Sequence, residues 1–166
     1  MFKRILKSFK KLYTFRSSIH FIYADKYQYF GSTVLRGQQL SQIAQKALSP
    51  TKVYYTSTDY NYKNCILFLP KWSIFAFTLE ELELLKGNGN KLIFDPVDAN
   101  LPSSRLKYAD IVVAPSETLH ESFIKIFPPS TKIVTVNHNV DLRLKRLEWS
   151  KRSKTFRAGY FGELVN

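Results

Sequence analysis

The chain has 166 residues, 45% of them apolar and 15% aromatic, which gives room for one folded domain with a real core and excludes a disordered protein. Its 25 basic and 13 acidic residues give a formal charge of +12, which by itself suggests nucleic acid, an anionic membrane or a phosphorylated ligand. The distribution says more: residues 1–16 hold six basic groups and no acid, residues 143–157 hold seven against Glu148, and 12 basic and 11 acidic residues remain in 17–142. The positive charge belongs to the two ends, and the middle is nearly neutral.

A lone Cys65 excludes an internal disulfide and fits a reducing compartment, with a small core side chain as its ordinary role. No apolar run approaches the roughly 20 residues of a membrane-spanning helix. The N-terminus lacks the apolar core and cleavage site of a signal peptide. Phe2, Ile5, Leu6, Phe9, Leu12 and Tyr13 share one face of a helix whose other face carries lysines, a pattern that suits an anionic membrane surface or packing on the domain itself.

Ser18 to Ala24 reads as the first strand. Gly31 then allows a tight turn, and Ser32 or Thr33 can cap a helix whose apolar positions are Val34, Leu35, Leu40, Ile43, Ala44 and Ala47. A glycine before a helix start offers N–H groups to an anion. Arg36 near that end is a candidate ligand contact, with a solvated helix face as the commoner alternative. Lys52 to Thr56 and Cys65 to Leu69 read as the second and third strands, joined by the Tyr-rich TSTDYNYKN. Thr78 and Glu81 have capping-box spacing, and Leu79, Leu82, Leu84 and Leu85 carry that helix until Gly87 and Gly89 stop it.

Lys91 to Phe94 is a fourth strand, with DPVDAN directly after it. Asp95 and Asp98 at a strand exit are better placed for chemistry, or for holding hydroxyls, than aspartates on a solvated helix. Capping of an Asp-Pro turn is the rival role. Ile111 to Ala114 is too short and too β-branched for a helix and suits a strand buried on both faces. Ser116 caps the helix after it, with Glu117 in its first turn and Leu119, Phe123, Ile124 and Phe127 at helical spacing, until Pro128 and Pro129 end it. Lys132 to Val136 returns as a strand, and the pair requires a parallel, right-handed crossover. The expected fold is therefore α/β, a Rossmann-like open parallel sheet with helices on both faces, with ligands beyond the carboxyl ends of the strands.

Together the GSTVLRGQQL segment, the KLIFDPVD strand exit, the ADIVVAPSETLHESF unit and the NHNVD loop resemble the N-terminal half of a GT-B glycosyltransferase, of the retaining family 1 or family 4-like type. The likeness covers about residues 18–142. Residues 1–17 form a basic amphipathic segment, 143–155 a basic linker, and 156–166 resemble the first strand and glycine loop of that family's C-terminal domain. The resemblance implies a nucleotide sugar as donor substrate, no other cofactor, no metal, and an acceptor held by the N-terminal domain.

Asp95 and Asp98 match the acidic strand exit facing the cleft. Gly31, Ser32, Arg36 and Ser116 belong with it as acceptor-side positions, as do Asn139 and Asp141 in the turn toward the second domain. His138 and Val140 depart from the usual Asn-Gly-Val-Asp turn, and His138 is as well explained by pairing with nearby backbone as by catalysis.

The donor-binding residues are not in this chain, so it is expected to be a truncated or split enzyme, inactive alone and dependent on a separate C-terminal domain. The implied partners are a sugar or lipid-linked acceptor and an anionic membrane touched through residues 1–16. The implied location is the cytoplasm, extending to the inner face of the membrane. The alternatives are a nucleic-acid-binding module with tyrosine stacking platforms, disfavoured by charge confined to the ends, and a non-catalytic doubly wound ligand-binding domain. The sequence contains no metal cluster, serine nucleophile elbow or G-x-G-x-x-G.

Overall fold

A computed structural model of the chain describes residues 18–59 and 61–137. Six strands, β1 (Ser18–Tyr23), β2 (Lys52–Ser57), β3 (Ile66–Pro70), β4 (Lys91–Asp95), β5 (Ile111–Ala114) and β6 (Lys132–Thr135), form one sheet in the order β2-β1-β3-β4-β5-β6. Every pairing is parallel. The expected Rossmann-like α/β sheet is therefore what the chain forms. Strands β3 and β5 are buried at every residue, which is why they read as unbroken apolar runs rather than alternating ones. β2 and β3 both pair with β1, so the strand order reverses there, and ligands of open parallel sheets bind beyond the carboxyl ends of strands at such a reversal. The link from β2 to β3, residues 58–65, contains no helix among its described residues.

Helices cover both faces. On one, α1 (Leu40–Ala47) sets Leu40 and Ala44 against Ile19, Phe21, Val53, Ile66, Phe68 and Ile93. The other holds α2 (Lys71–Ala76), α3 (Leu79–Gly87), α4 (Ser103–Leu106) and α5 (Glu117–Ile126). Ile74, Leu82, Leu85, Leu106 and Phe123 from these helices meet Ile22, Leu67, Leu69, Leu92 and Val112 of the sheet. The Thr78 capping box forms in full: Glu81 N–H donates to Thr78 Oγ1 at 3.2 Å, and Thr78 N–H donates to Glu81 Oε2 at 2.7 Å. Gly87 is the last residue of α3, and the left-handed turn that stops the helix falls on Gly89, at φ 76°.

The amino edge of the sheet is clasped by Asp110, which accepts from Lys86 Nζ at 2.6 Å, Lys91 Nζ at 2.9 Å and the Leu92 amide at 2.9 Å. Burial acts to raise the Asp110 pKa, but these donors outweigh it and hold it below the ordinary carboxylate value. Cys65 is buried, as expected of a core thiol. His20 also lies toward this edge. Its Nε2 is 2.9 Å from Ser18 Oγ, its ring packs on Tyr54 and Tyr62, and its buried Nδ1 has no hydrogen-bond partner among the described residues.

The segment after β1 departs from expectation. Ser32 is itself helical, at φ −63°, and makes no side-chain cap. The helix already includes Gly31, so neither Ser32 nor Thr33 is the cap that the sequence suggests. Thr33–Gln39 is a π-helix, a wider winding that is rare and gathers at functional sites. It buries Thr33, Arg36, Gly37 and Gln39 and leaves Val34 and Leu35 only half-buried.

A Cβ on Gly31 meets nothing within 4 Å and the backbone there is not left-handed, so Gly31→Ala should raise stability by about 0.4–1 kcal/mol, seen as a higher urea midpoint at unchanged slope. Burial lowers the His20 pKa from its ordinary 6.5. Below that value the unfolded chain binds the extra proton first, so stability should fall as pH drops through 6.5 toward the lowered value. Urea midpoints taken from pH 7.5 to 5 should show this decline, and His20→Asn should flatten it.

Candidate functional site

The carboxyl rim is built from the segments that leave the strand ends. Arg36, from the π-helix behind β1, lies over the sheet face that also carries Ile93 and Asp95. It is 1% exposed and Asp95 is 0% exposed. Arg36 Nε donates to Asp95 Oδ2 at 2.7 Å. Nη1 donates to the carbonyls of Val136 and Asn137, both at 3.2 Å, and Nη2 donates to Val136 at 3.2 Å. One guanidinium thus ties the ends of β4 and β6 to the helix that leaves β1. An arginine suits this place because it stays charged when buried and its planar fork offers five donors.

Its approach depends on a glycine that the sequence did not single out. A Cβ on Gly37 would lie 3.2 Å from Tyr55 Cε2 and 3.4 Å from Pro70 Cγ. These partners come from β2 and β3, and only the folded sheet brings them together. Burial first, and then neighbouring Tyr23, push the Tyr55 hydroxyl up to about 12, so that ring faces Gly37 as a neutral phenol. Beside the rim, Val97 is held at φ 61°, a left-handed conformation that is rare for a β-branched residue and costs on the order of 1–3 kcal/mol.

The two aspartates of DPVDAN part company. Asp95 points inward and is held by Arg36, whereas Asp98 is 72% exposed and accepts from Lys71 Nζ at 2.8 Å. Of the pair, Asp98 is the one a ligand can reach. Ser116 lies beyond β5 and caps α5 as expected, its Oγ accepting from the Leu119 amide at 3.2 Å. Gly31 is exposed and Ser32 is half-buried on the first helical turn beyond β1. Asp95 is the last residue of β4, and Gly31 and Ser116 follow the carboxyl ends of β1 and β5. His138, Asn139 and Asp141 lie outside the described residues, as do the N-terminal segment, the basic linker and the last expected strand.

No group of His, Cys, Asp and Glu among the described residues could hold a metal ion, and no described helix is long and apolar enough to cross a membrane. An open depression of about 410 Å³, lined by Leu79, Glu80, Glu83, Leu84 and Tyr108, lies against α3 and shares no residue with the rim. Comparison with protein-family models, with curated proteins and with solved structures returns no match.

Removing one partner of a buried ion pair leaves the other charged and unpaired, so Arg36→Met should cost about 3–5 kcal/mol in urea denaturation. Arg36→Met combined with Asp95→Leu should recover more than half of that loss, because no uncompensated charge remains.

Proposed function

We propose that this chain carries the acceptor-side domain of a two-lobed GT-B glycosyltransferase, which in the intact enzyme moves a sugar from a nucleotide sugar to an acceptor hydroxyl. The observation that supports this reading is the parallel-sheet rim beside the strand-order reversal, braced by Arg36 and Asp95 and presenting Asp98 to solvent with half-buried Lys71 beside it. An acceptor hydroxyl needs a carboxylate that can accept its hydrogen bond and a donor that can orient it. Asp98 and Lys71 supply both within one ion pair. Asp95 acts by positioning, since it sets the strand end from which Asp98 extends. The nucleotide and its departing diphosphate belong to the second lobe, where fixed positive groups would stabilise the leaving charge. In this reading the enzyme works in the cytoplasm, at the inner face of the membrane where lipid-linked acceptors reside.

The burial of Asp95 favours a second reading, a doubly wound ligand-binding domain without transfer chemistry, because the most protected acid on the rim is already engaged by Arg36.

The purified chain should release no nucleoside diphosphate from nucleotide sugars. In its amide spectra, neutral mono- and disaccharides should shift resonances around Asp98 and Ser116. Turnover of a nucleotide sugar by the chain alone would overturn the acceptor-side assignment. Shifts produced at the rim by free nucleotides but not by saccharides would replace it with the second reading.

A further inference from the structure

The segments that follow β1 and β3 bring together aromatic rings that no strand or helix pattern requires. After β1 the chain makes a short 3-10 turn, Asp25–Tyr27. Tyr27 stacks on Trp72 of α2 with ring centres 4.6 Å apart and planes at 18°. Phe30 meets both rings edge-on, at 5.2 Å from Tyr27 and 5.8 Å from Trp72, and Phe75 lies 6.5 Å from Trp72. This cluster is not sealed from water: Phe30 is 43% exposed, Phe75 is 36% exposed, and neighbouring Tyr29 is 85% exposed. Exposed rings side by side at a strand-order reversal form the kind of apolar wall, with a few polar groups beside it, that small ligands occupy.

We infer that the exposed rings of Phe30 and Phe75, backed by the Tyr27–Trp72 stack, form a platform for a neutral pyranose ring of the acceptor, with Lys71 and Asp98 reaching its hydroxyls; this rests on the acceptor-side reading proposed for the domain. The C–H bonds on one side of a pyranose carry partial positive charge, and an aromatic face is negative, so the two attract. Lys26, Lys71 and Arg105 lie over Tyr27, Trp72 and Phe75 at 5.5, 5.1 and 5.9 Å. Two of these cations are engaged: Lys71 pairs with Asp98, and Arg105 donates to the carbonyls of Ile74 and Phe77 at 2.7 and 2.8 Å.

A wall in which Lys71 is paired with a carboxylate and Arg105 is turned to backbone carbonyls fits a neutral polyhydroxyl ligand better than an anionic membrane. The exposed side chains here are aromatic, while the exposed aliphatic ones, Leu84, Ile124 and Ile126, sit on α3 and α5. Insertion into hydrocarbon calls for apolar side chains of any kind, whereas ring stacking calls for aromatic ones.

The test uses the full chain and the methyl glycosides of glucose, galactose and N-acetylglucosamine as probes, read by saturation-transfer NMR and by the Trp72 indole resonance. Saturation should reach the ring C–H protons of at least one glycoside, with a matching shift of the Trp72 indole in the unaltered protein. The double variant Phe30→Ala, Phe75→Ala, both side chains being exposed, should keep its circular dichroism and weaken that glycoside at least fivefold. Glycoside binding that neither moves Trp72 nor responds to the variant overturns the platform and leaves the acceptor-side assignment standing. If none of the glycosides binds, both fall. If phosphatidylcholine or phosphatidylglycerol vesicles bind the chain and the variant abolishes it, the surface is a membrane contact and the platform is overturned.

Discussion

The ion pair between Arg36 and Asp95 is the constraint on which the rest of the rim depends. Both side chains are almost wholly withdrawn from water, so each charge is tolerable only while the other stands beside it. The remaining guanidinium donors go to the Val136 and Asn137 carbonyls, which satisfies groups that the end of β6 would otherwise leave unmade. An apolar replacement of similar volume could serve the core equally well. What an apolar residue lacks is direction, since a hydrogen-bonded fork fixes where the helix behind β1, the exit of β4 and the exit of β6 stand relative to one another.

The two edges of the sheet are held by different chemistry. At the amino edge, Asp110 and two lysines make a partly exposed clasp, with left-handed turns at Asn64 and Gly89 leading into β3 and β4. At the carboxyl edge the pair is buried, the helix above it is wound as π, and Val97 sits in a conformation its side chain resists. Irregular winding and a resisted backbone angle persist only where surrounding contacts over-determine them. They occur here on the same edge as the uncovered aromatic rings and the accessible Lys71–Asp98 pair.

The strands were readable in the sequence because buried parallel strands need apolar runs at every position, and Ile66 to Leu69 or Ile111 to Ala114 can be little else. The caps at Thr78 and Ser116 were equally legible, since capping is a local event between residues three apart. The helix after β1 was legible only in outline. Its apolar letters, Val34 and Leu35, pointed to one face, yet it buries Thr33, Arg36 and Gly37, because that turn looks onto the polar strand exits rather than onto the apolar sheet. The short helix Lys71–Ala76 escaped notice because it starts directly at Pro70, without a polar break after the strand. Asp95 and Asp98 looked alike for a further reason: which of them faces inward depends on register with an arginine 59 residues earlier in the chain.

Asn137 gives the bracing a mechanical meaning. Its carbonyl is gripped by the same guanidinium that holds Asp95, so the backbone leaves β6 from a moored point. Tension applied to the chain at that mooring would pass along the backbone into β6 and also through Arg36 into the π-wound turn and the DPVDAN loop. Binding at the rim and movement of whatever is joined to Asn137 would then act on a single shared linkage.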